Sequence, residues 1–459
     1  MSALYLPPEL WLRIAQSLCF HCTRDPRDTH ALPDRRLAYD LHRGGTPVHA
    51  LAGLCRVSRM LKELVTPVLY HAPLTGKPKL LLRSLVECPG LAAHVRELDG
   101  AMWLGWPIAK DEYPLRFMEL YEEKLDLLQA KEEDIWATAE NWGGNGQRGI
   151  KRLNQHVSDT VVMELLPNLT AVYLESKYGY VGIGMAPGCL AHVKSAAIRH
   201  SGSGDDVSIR RYLPLFQAAP NITSMHYYQN VPDFTIDKMD EDGSRVSAKL
   251  ATITALELET CCVFRENISG LLASHPSLET FSYSDSGQWQ FFGSTVRNIQ
   301  DALLTYTPEL RKLNIDMTLA EYEDWPASGS CGFNASLAKL QQLVYLAFDA
   351  SCLGPGDEED PFDYLVAILP ASLEYLRITV VCEGPDWLRG ALTSLAGVVE
   401  EKLPALKRFV IWDQAFAEEV QPPARVDFEV AYNISTRMLS SRAQTEASKK
   451  PGRQDLEKS

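Results

Sequence analysis

The chain has 459 residues, of which 46% are hydrophobic, 23% charged and 9% aromatic, enough apolar material for a large core and too much for a mostly disordered chain. Lys and Arg total 45 against 59 Asp and Glu, a formal charge of −14; phosphate backbones and anionic lipid surfaces repel that sign, which excludes nucleic acid and membranes as general partners. No stretch reaches the roughly 18 consecutive apolar residues of a membrane span, and Met1 to Leu10 has no basic region ahead of an apolar run, so the expectation is a cytoplasmic or nuclear protein. The cysteines are scattered (Cys55, Cys88, Cys189, Cys331, Cys352, Cys382) rather than framed in pairs, and reduced thiols are expected.

In chain order, Leu6, Pro7, Pro8, Glu9 and Leu10 open a helix with Pro in its first turn, and Leu10, Ile14 and Leu18 line one of its faces. Residues 22–49 then form a segment rich in Arg, Asp, His and Pro. Cys19 and Cys22 make a C-x-x-C around His21, with His30, His42, His49 and Cys55 further along. A structural zinc site usually shows a second close pair, and these histidines do not pair, so the segment reads as a helix end with a buried Cys19 and no metal site. A second apolar helix face follows in Leu51, Leu54, Cys55, Val57, Leu61 and Leu64, ahead of Pro67, Val68, Leu69 and Tyr70.

The strings LPPELWLRIAQSL and LAGLCRVSRMLKELVTPVLYHAPL resemble an F-box, the helical motif by which substrate receptors dock on the Skp-type adaptor of cullin-RING ubiquitin ligases. The resemblance covers Leu6 to about Leu74, within an expected domain of residues 1–75. It departs from the family in the long 22–49 insertion and in Ser58, where many members carry Trp. It implies that Leu6, Pro7, Pro8, Leu10, Ile14, Leu51, Leu54, Val57 and Leu64 pack within the motif or meet the adaptor.

Between residues 105 and 156 the expected element is an acidic helical insertion, with Phe117, Leu120, Tyr121, Leu125, Leu128, Ile135 and Trp136 spaced for burial. From Leu166 the chain repeats itself: LPNLTAVYL, APNITSMHYY, HPSLETFSY, TPELRKLNI, LPASLEYLRI and LPALKRFVI share the apolar spacing Φ-x-x-Φ-x-Φ. The first apolar residues are Leu169, Val193, Ile222, Ile253, Leu278, Leu310, Leu343, Leu373 and Leu406, about 30 residues apart, close to the range of leucine-rich repeats. Helix-compatible segments precede several of these, at 161–166, 212–218, 268–273, 296–305, 364–369 and 388–403. The expected fold is therefore α/β: N-terminal F-box helices, then a leucine-rich-repeat solenoid horseshoe of strands and helices over residues 88–430. The N-x-S/T sequons at Asn168 and Asn221 occupy equivalent places in two units and read as repeat grammar. Together, F-box and repeats resemble a leucine-rich-repeat F-box family that is abundant in filamentous fungi.

In Φ1-x-x-Φ4-x-Φ6 the residues at 3, 5 and 7 point away from the core. That predicts an open face bearing Tyr173, Glu175, His226, Tyr228, Glu257, Glu259, Asn314, Asp316, Tyr345, Asp349, Tyr375, Arg377, Arg408 and Trp412, whose aromatics and carboxylates suit a basic segment of a protein substrate. Residues 435–459 are poor in apolar side chains and read as a disordered tail. No P-loop, G-x-S-x-G, H-E-x-x-H or dinucleotide fingerprint occurs, so neither an enzyme nor a cofactor is expected. The resemblance implies a substrate-recognition subunit of an SCF-type ligase, its partners supplying the chemistry. The competing expectation is a repeat scaffold for protein interaction outside the ligase system.

Overall fold

In a computed structural model of the chain, the structure describes residues 6–23, 46–73, 78–99, 114–131, 157–176, 185–200, 212–228, 250–261, 263–285, 294–317, 332–354, 360–380, 386–412 and 426–430. The expected tail, most of residues 22–49 and much of the 105–156 insertion lie outside them.

A single main-chain device repeats along most of the described chain. The carbonyl of His71 accepts two successive N–H groups, those of Arg96 and Glu97, at 2.8 and 2.9 Å. Arg96 in turn accepts from Thr170 and Ala171, and the relay continues through Thr170, Lys194, Thr223, Thr254, Glu279, Arg311, Val344 and Glu374. Each carbonyl therefore leads the next segment into the sheet beside the last. Just ahead of each step the first apolar residue of the unit closes a turn onto the carbonyl three residues back: Leu278 N–H to His275, Leu310 to Thr307, Leu343 to Leu340 and Leu406 to Leu403. The nine repeat-opening residues from Leu169 to Leu406 are all buried.

Among the described residues the result is one sheet of eleven strands in sequence order, every pairing parallel. The strands are β1 Glu97–Asp99, β2 Ala171–Ser176, β3 Ser195–His200, β4 Ser224–Tyr228, β5 Ala255–Cys261, β6 Thr280–Asp285, β7 Lys312–Asp316, β8 Tyr345–Asp349, β9 Tyr375–Thr379, β10 Arg408–Trp412 and β11 Asp427–Val430. Parallel neighbours need a crossover. Helices supply it at Leu213–Ala218, Arg265–Ala273, Val296–Tyr306, Pro361–Ile368 and Asp386–Lys402, close to the expected segments, whereas the unit before β8 uses a shorter 3-10 turn, Ala335–Lys339. Thr295 caps one helix through a reciprocal box with Asn298, and Asp360 caps another by accepting from Phe362 and Asp363. In β5, Thr260 takes φ 50° at a register shift, which turns Cys261 back into the core, where it is buried.

One continuous core runs through the array, built from inward strand residues such as Leu256, Phe281, Leu313, Leu346, Leu376 and Phe409 and the facing helix residues. The helix Leu115–Lys131 joins it through Phe117, Met118 and Tyr121, and Lys124 pairs with Glu164 at 2.7 Å. The sequon side chains have structural work: Asn168 Nδ2 donates to the Ala93 carbonyl and Asn221 Nδ2 to that of Ala191, each at 2.8 Å.

Among the described residues, the helices Pro78–Glu87 and Pro89–Ala92 lead into β1, and ahead of them stand four more: α1 Pro8–Leu18, α2 Phe20–Thr23, α3 Thr46–Val57 and α4 Arg59–Leu69. These four hold a separate small core of Ala15, Cys19, Leu51, Val65 and Val68. Ser58, the departure from the F-box pattern, caps α4 by accepting from the Leu61 N–H at 3.1 Å.

Candidate functional site

Two surfaces carry the features expected of a recognition protein. The first is on the N-terminal helices. Leu10 and Ile14, one turn apart on α1, are 42% and 38% exposed, and Val57 at the end of α3 is 70% exposed. Pro7 is exposed, while Leu6 and Pro8 are half-buried. Of the two places expected for these residues, Leu51 takes the packed one and not the adaptor-facing one: it is 3% exposed and belongs to the small core, because α3 turns this side toward α1 and α4. Leu54 and Leu64 pack half-buried against the same core. The nine residues named from the sequence thus divide into an exposed set (Pro7, Leu10, Ile14, Val57), a buried or packed set (Leu51, Leu54, Leu64) and the half-buried Leu6 and Pro8.

The second surface is the sheet face turned away from the core. Its side chains organise in rows set by the strand register. In one row Tyr345 and Tyr375 stack in parallel with ring centroids 4.5 Å apart, and the Arg408 guanidinium lies 5.9 Å from the Tyr375 ring centre. In the next, Arg377 Nη2 donates to Asn314 Oδ1 at 3.1 Å, passing over the intervening small residue Ala347, and Asn314 Nδ2 donates to Ser282 Oγ at 2.9 Å. Toward the other end, Arg199 lies 5.5 Å from the Tyr228 ring centre, and His226 Nε2 sits 3.2 Å from the Glu259 carboxylate, with Glu257 close by. Glu175 and Asp316 are half-buried on this face.

Three expected open residues are enclosed. Tyr173 faces away from the main core but is buried, forming a small cluster with Ala171 and Ala197. His226 is likewise buried beside its carboxylate partner. Asp349 is 4% exposed because it ends β8 and caps the turn Ala350–Cys352, accepting from the Ser351 N–H at 2.9 Å and from the Met317 N–H and Ser351 hydroxyl. Burial and, after it, the charge of Asp316 push its carboxyl up to about 6. The side chain of Trp412 lies outside the described residues.

A third cluster lies where the N-terminal helices meet the first step of the array. Cys19 ends α1, His21 and Cys22 lie in α2, and His71 follows α4; their four ligand atoms all lie within 4.8 Å of one another. Cys22 Sγ is 3.2 Å from His71 Nδ1 and 3.8 Å from His21 Nδ1. Burial and then the neighbouring Cys19 push the Cys22 thiol up to about 12, and burial, with the nearby His21 and Arg96, lowers His71 to about 4. The C-x-x-C was visible in sequence. His71 was not, since 49 residues separate it from Cys22, and His49, a nearer candidate, is exposed on α3.

No family model matches the chain, and no curated protein matches it. Among solved structures, a TLR13–ssRNA13 complex matches at 13% identity and a TM-score of 0.28, over 60% of this chain. The match covers 35% of that protein's chain, and the fold described above rests on strand pairing alone. No helix among the described residues is long and apolar enough to cross a membrane.

Proposed function

We propose that the chain is the substrate-recognition subunit of an SCF-type cullin-RING ubiquitin ligase, its N-terminal helices acting as an F-box on a Skp-type adaptor and its array acting as a leucine-rich-repeat solenoid that holds a protein substrate. The observation that carries this reading is the exposure of Leu10, Ile14 and Val57 on helices that already have their own core. Those side chains are not needed to fold the motif, and exposed apolar side chains of this size favour association. The open sheet face offers what substrate capture requires, with stacked Tyr345 and Tyr375 as an aromatic anchor and Glu175, Glu257, Glu259 and Asp316 presenting charge to a basic substrate segment. The receptor is non-catalytic, and ubiquitin transfer belongs to its partners. Ser58 favours a second reading, a scaffold outside the ligase system, because a cap stands where many F-boxes carry Trp.

The test is binding of the purified full chain to a Skp-type adaptor, with Leu10→Asp/Val57→Asp as the control. The expected loss is about tenfold or more, equivalent to at least about 1.4 kcal/mol. A folded wild type that does not bind the adaptor would leave the scaffold reading.

A further inference from the structure

We propose that Cys19, His21, Cys22 and His71 form a structural zinc site that clamps the N-terminal helices to the first step of the repeat array. This goes beyond the ligase reading and does not depend on it.

The donor set is two sulfurs and two imidazole nitrogens within 4.8 Å of one another. Tetrahedral zinc, with Zn–S near 2.3 Å and Zn–N near 2.0–2.1 Å, places neighbouring ligand atoms about 3.3 to 3.8 Å apart. The distances from Cys22 Sγ to His71 Nδ1 (3.2 Å) and to His21 Nδ1 (3.8 Å) fall on either side of the roughly 3.5 Å of a tetrahedral sulfur–nitrogen edge. Local backbone geometry assembles three of the four ligands: the Cys22 and Thr23 N–H groups both donate to the Cys19 carbonyl, at 3.1 and 3.0 Å. This one-turn bend gathers the two thiols and His21. The rings of His21 and His71 meet edge to face with centroids 5.1 Å apart, so the two imidazoles converge on the thiols from different directions.

Charge selects the ion. Two thiolates and two neutral imidazoles cancel a divalent cation, so a loaded site would be neutral and tolerates its partly buried position. Loading exchanges one Zn2+ for the two thiol protons, with no redox step. A tetrahedral S2N2 set favours zinc over magnesium or calcium, which take oxygen ligands. Position supplies the role. The His71 carbonyl accepts from Arg96 and Glu97 and so begins the relay that orders all later strands, while its ring faces the α1–α2 corner. A metal held by Cys19, His21 and Cys22 on one side and His71 on the other would fix the helices against β1, in addition to the covalent link through α4.

The full chain, purified with a reductant and dialysed into zinc-free buffer, is expected to carry about one zinc per chain by mass spectrometry of the metal content, as a closed four-ligand site does. Cys22→Ser and His71→Ala should each cut this to about a tenth or less, whereas the exposed Cys88→Ser should leave it unchanged. Cobalt added to stripped wild type should give the visible absorption of a tetrahedral thiolate complex, absent in Cys22→Ser. Should the variants misfold, the stripped wild type serves instead, and its Tm should fall and be restored by added zinc. A folded wild type without zinc or a cobalt band, zinc content indifferent to Cys22→Ser, or a Cys19–Cys22 disulfide persisting under reductant would each overturn the proposal. Adaptor binding is a separate readout, so failure of the docking reading would not be mistaken for failure of this one.

Discussion

His275 occupies a position that the other units mostly fill with an apolar residue. It is the turn acceptor ahead of β6, equivalent to Leu166, Leu190, Leu250, Leu340 and Leu403, and it is completely buried. Its Nδ1 lies 2.7 Å from the Leu271 carbonyl, which can only accept, so Nδ1 carries the proton. Its Nε2 has no hydrogen-bond partner among the described residues. Burial, partly offset by the Leu271 bond, lowers the ring from 6.5 to about 4. The unfolded chain therefore takes up a proton below pH 6.5 while the folded chain stays neutral until about pH 4, and stability falls as pH drops through that window. At pH 5, 1.5 units below the unfolded value, the loss is about 2 kcal/mol at 1.36 kcal/mol per unit. His275→Leu restores the residue of the equivalent units and removes the unpaired Nε2, a gain of about 1 kcal/mol or more at pH 7.5, rising by about a further 2 kcal/mol at pH 5. Urea unfolding of both chains at the two pH values, followed by circular dichroism, measures the difference. A gap between variant and wild type that is the same at pH 7.5 and pH 5 would refute the argument.

Asp349 titrates in the opposite sense. Its folded carboxyl stands near 6 against an ordinary 3.8, so the folded state holds the proton longer and stability falls as pH rises from about 4 through about 6. The stability of Asp349→Asn relative to wild type should therefore improve as pH rises over that range in urea melts, although the amide cannot offer both oxygens to Met317 and Ser351. Thr295→Ala removes the capping box of the helix Val296–Tyr306 and should cost about 1 kcal/mol in the same assay, whereas Thr295→Ser should cost much less.

The repeat was legible because its strongest signal is geometric. Residues from Leu169 to Leu406 that open each unit are buried in every case, including Val193 in the least regular unit, since the turn beneath them needs an apolar plug. Face was legible for Tyr173, which alternation set away from the main core and which lies in a small cluster outside it. Exposure was not, because alternation says which side a residue takes and nothing of what lies on it. Tyr173 is enclosed by its packing with Ala171 and Ala197, and Asp349 is drawn in by the turn that follows its strand. Within the N-terminal helices, sequence spacing offered Leu51 and Leu10 as equals; packing against Ala15 and Val65 separated them. His71 carries no local signal, because its place beside Cys22 is created by the return of the chain after α4.

The relay of paired acceptors from His71 to Glu374 separates two quantities that sequence repeats usually tie together. Each step fixes where the next strand lies, and it does so with main-chain atoms that every residue other than proline supplies. Nothing in the step fixes how many residues the chain spends on the other side before it returns: 74 residues separate Arg96 from Thr170, yet β1 and β2 are direct neighbours. Spacing along the sheet is thus constant while the length of each excursion is free. Evolution can lengthen, shorten or replace the far side of any unit, and so alter what the molecule displays there, without moving a single residue of the open face out of its row.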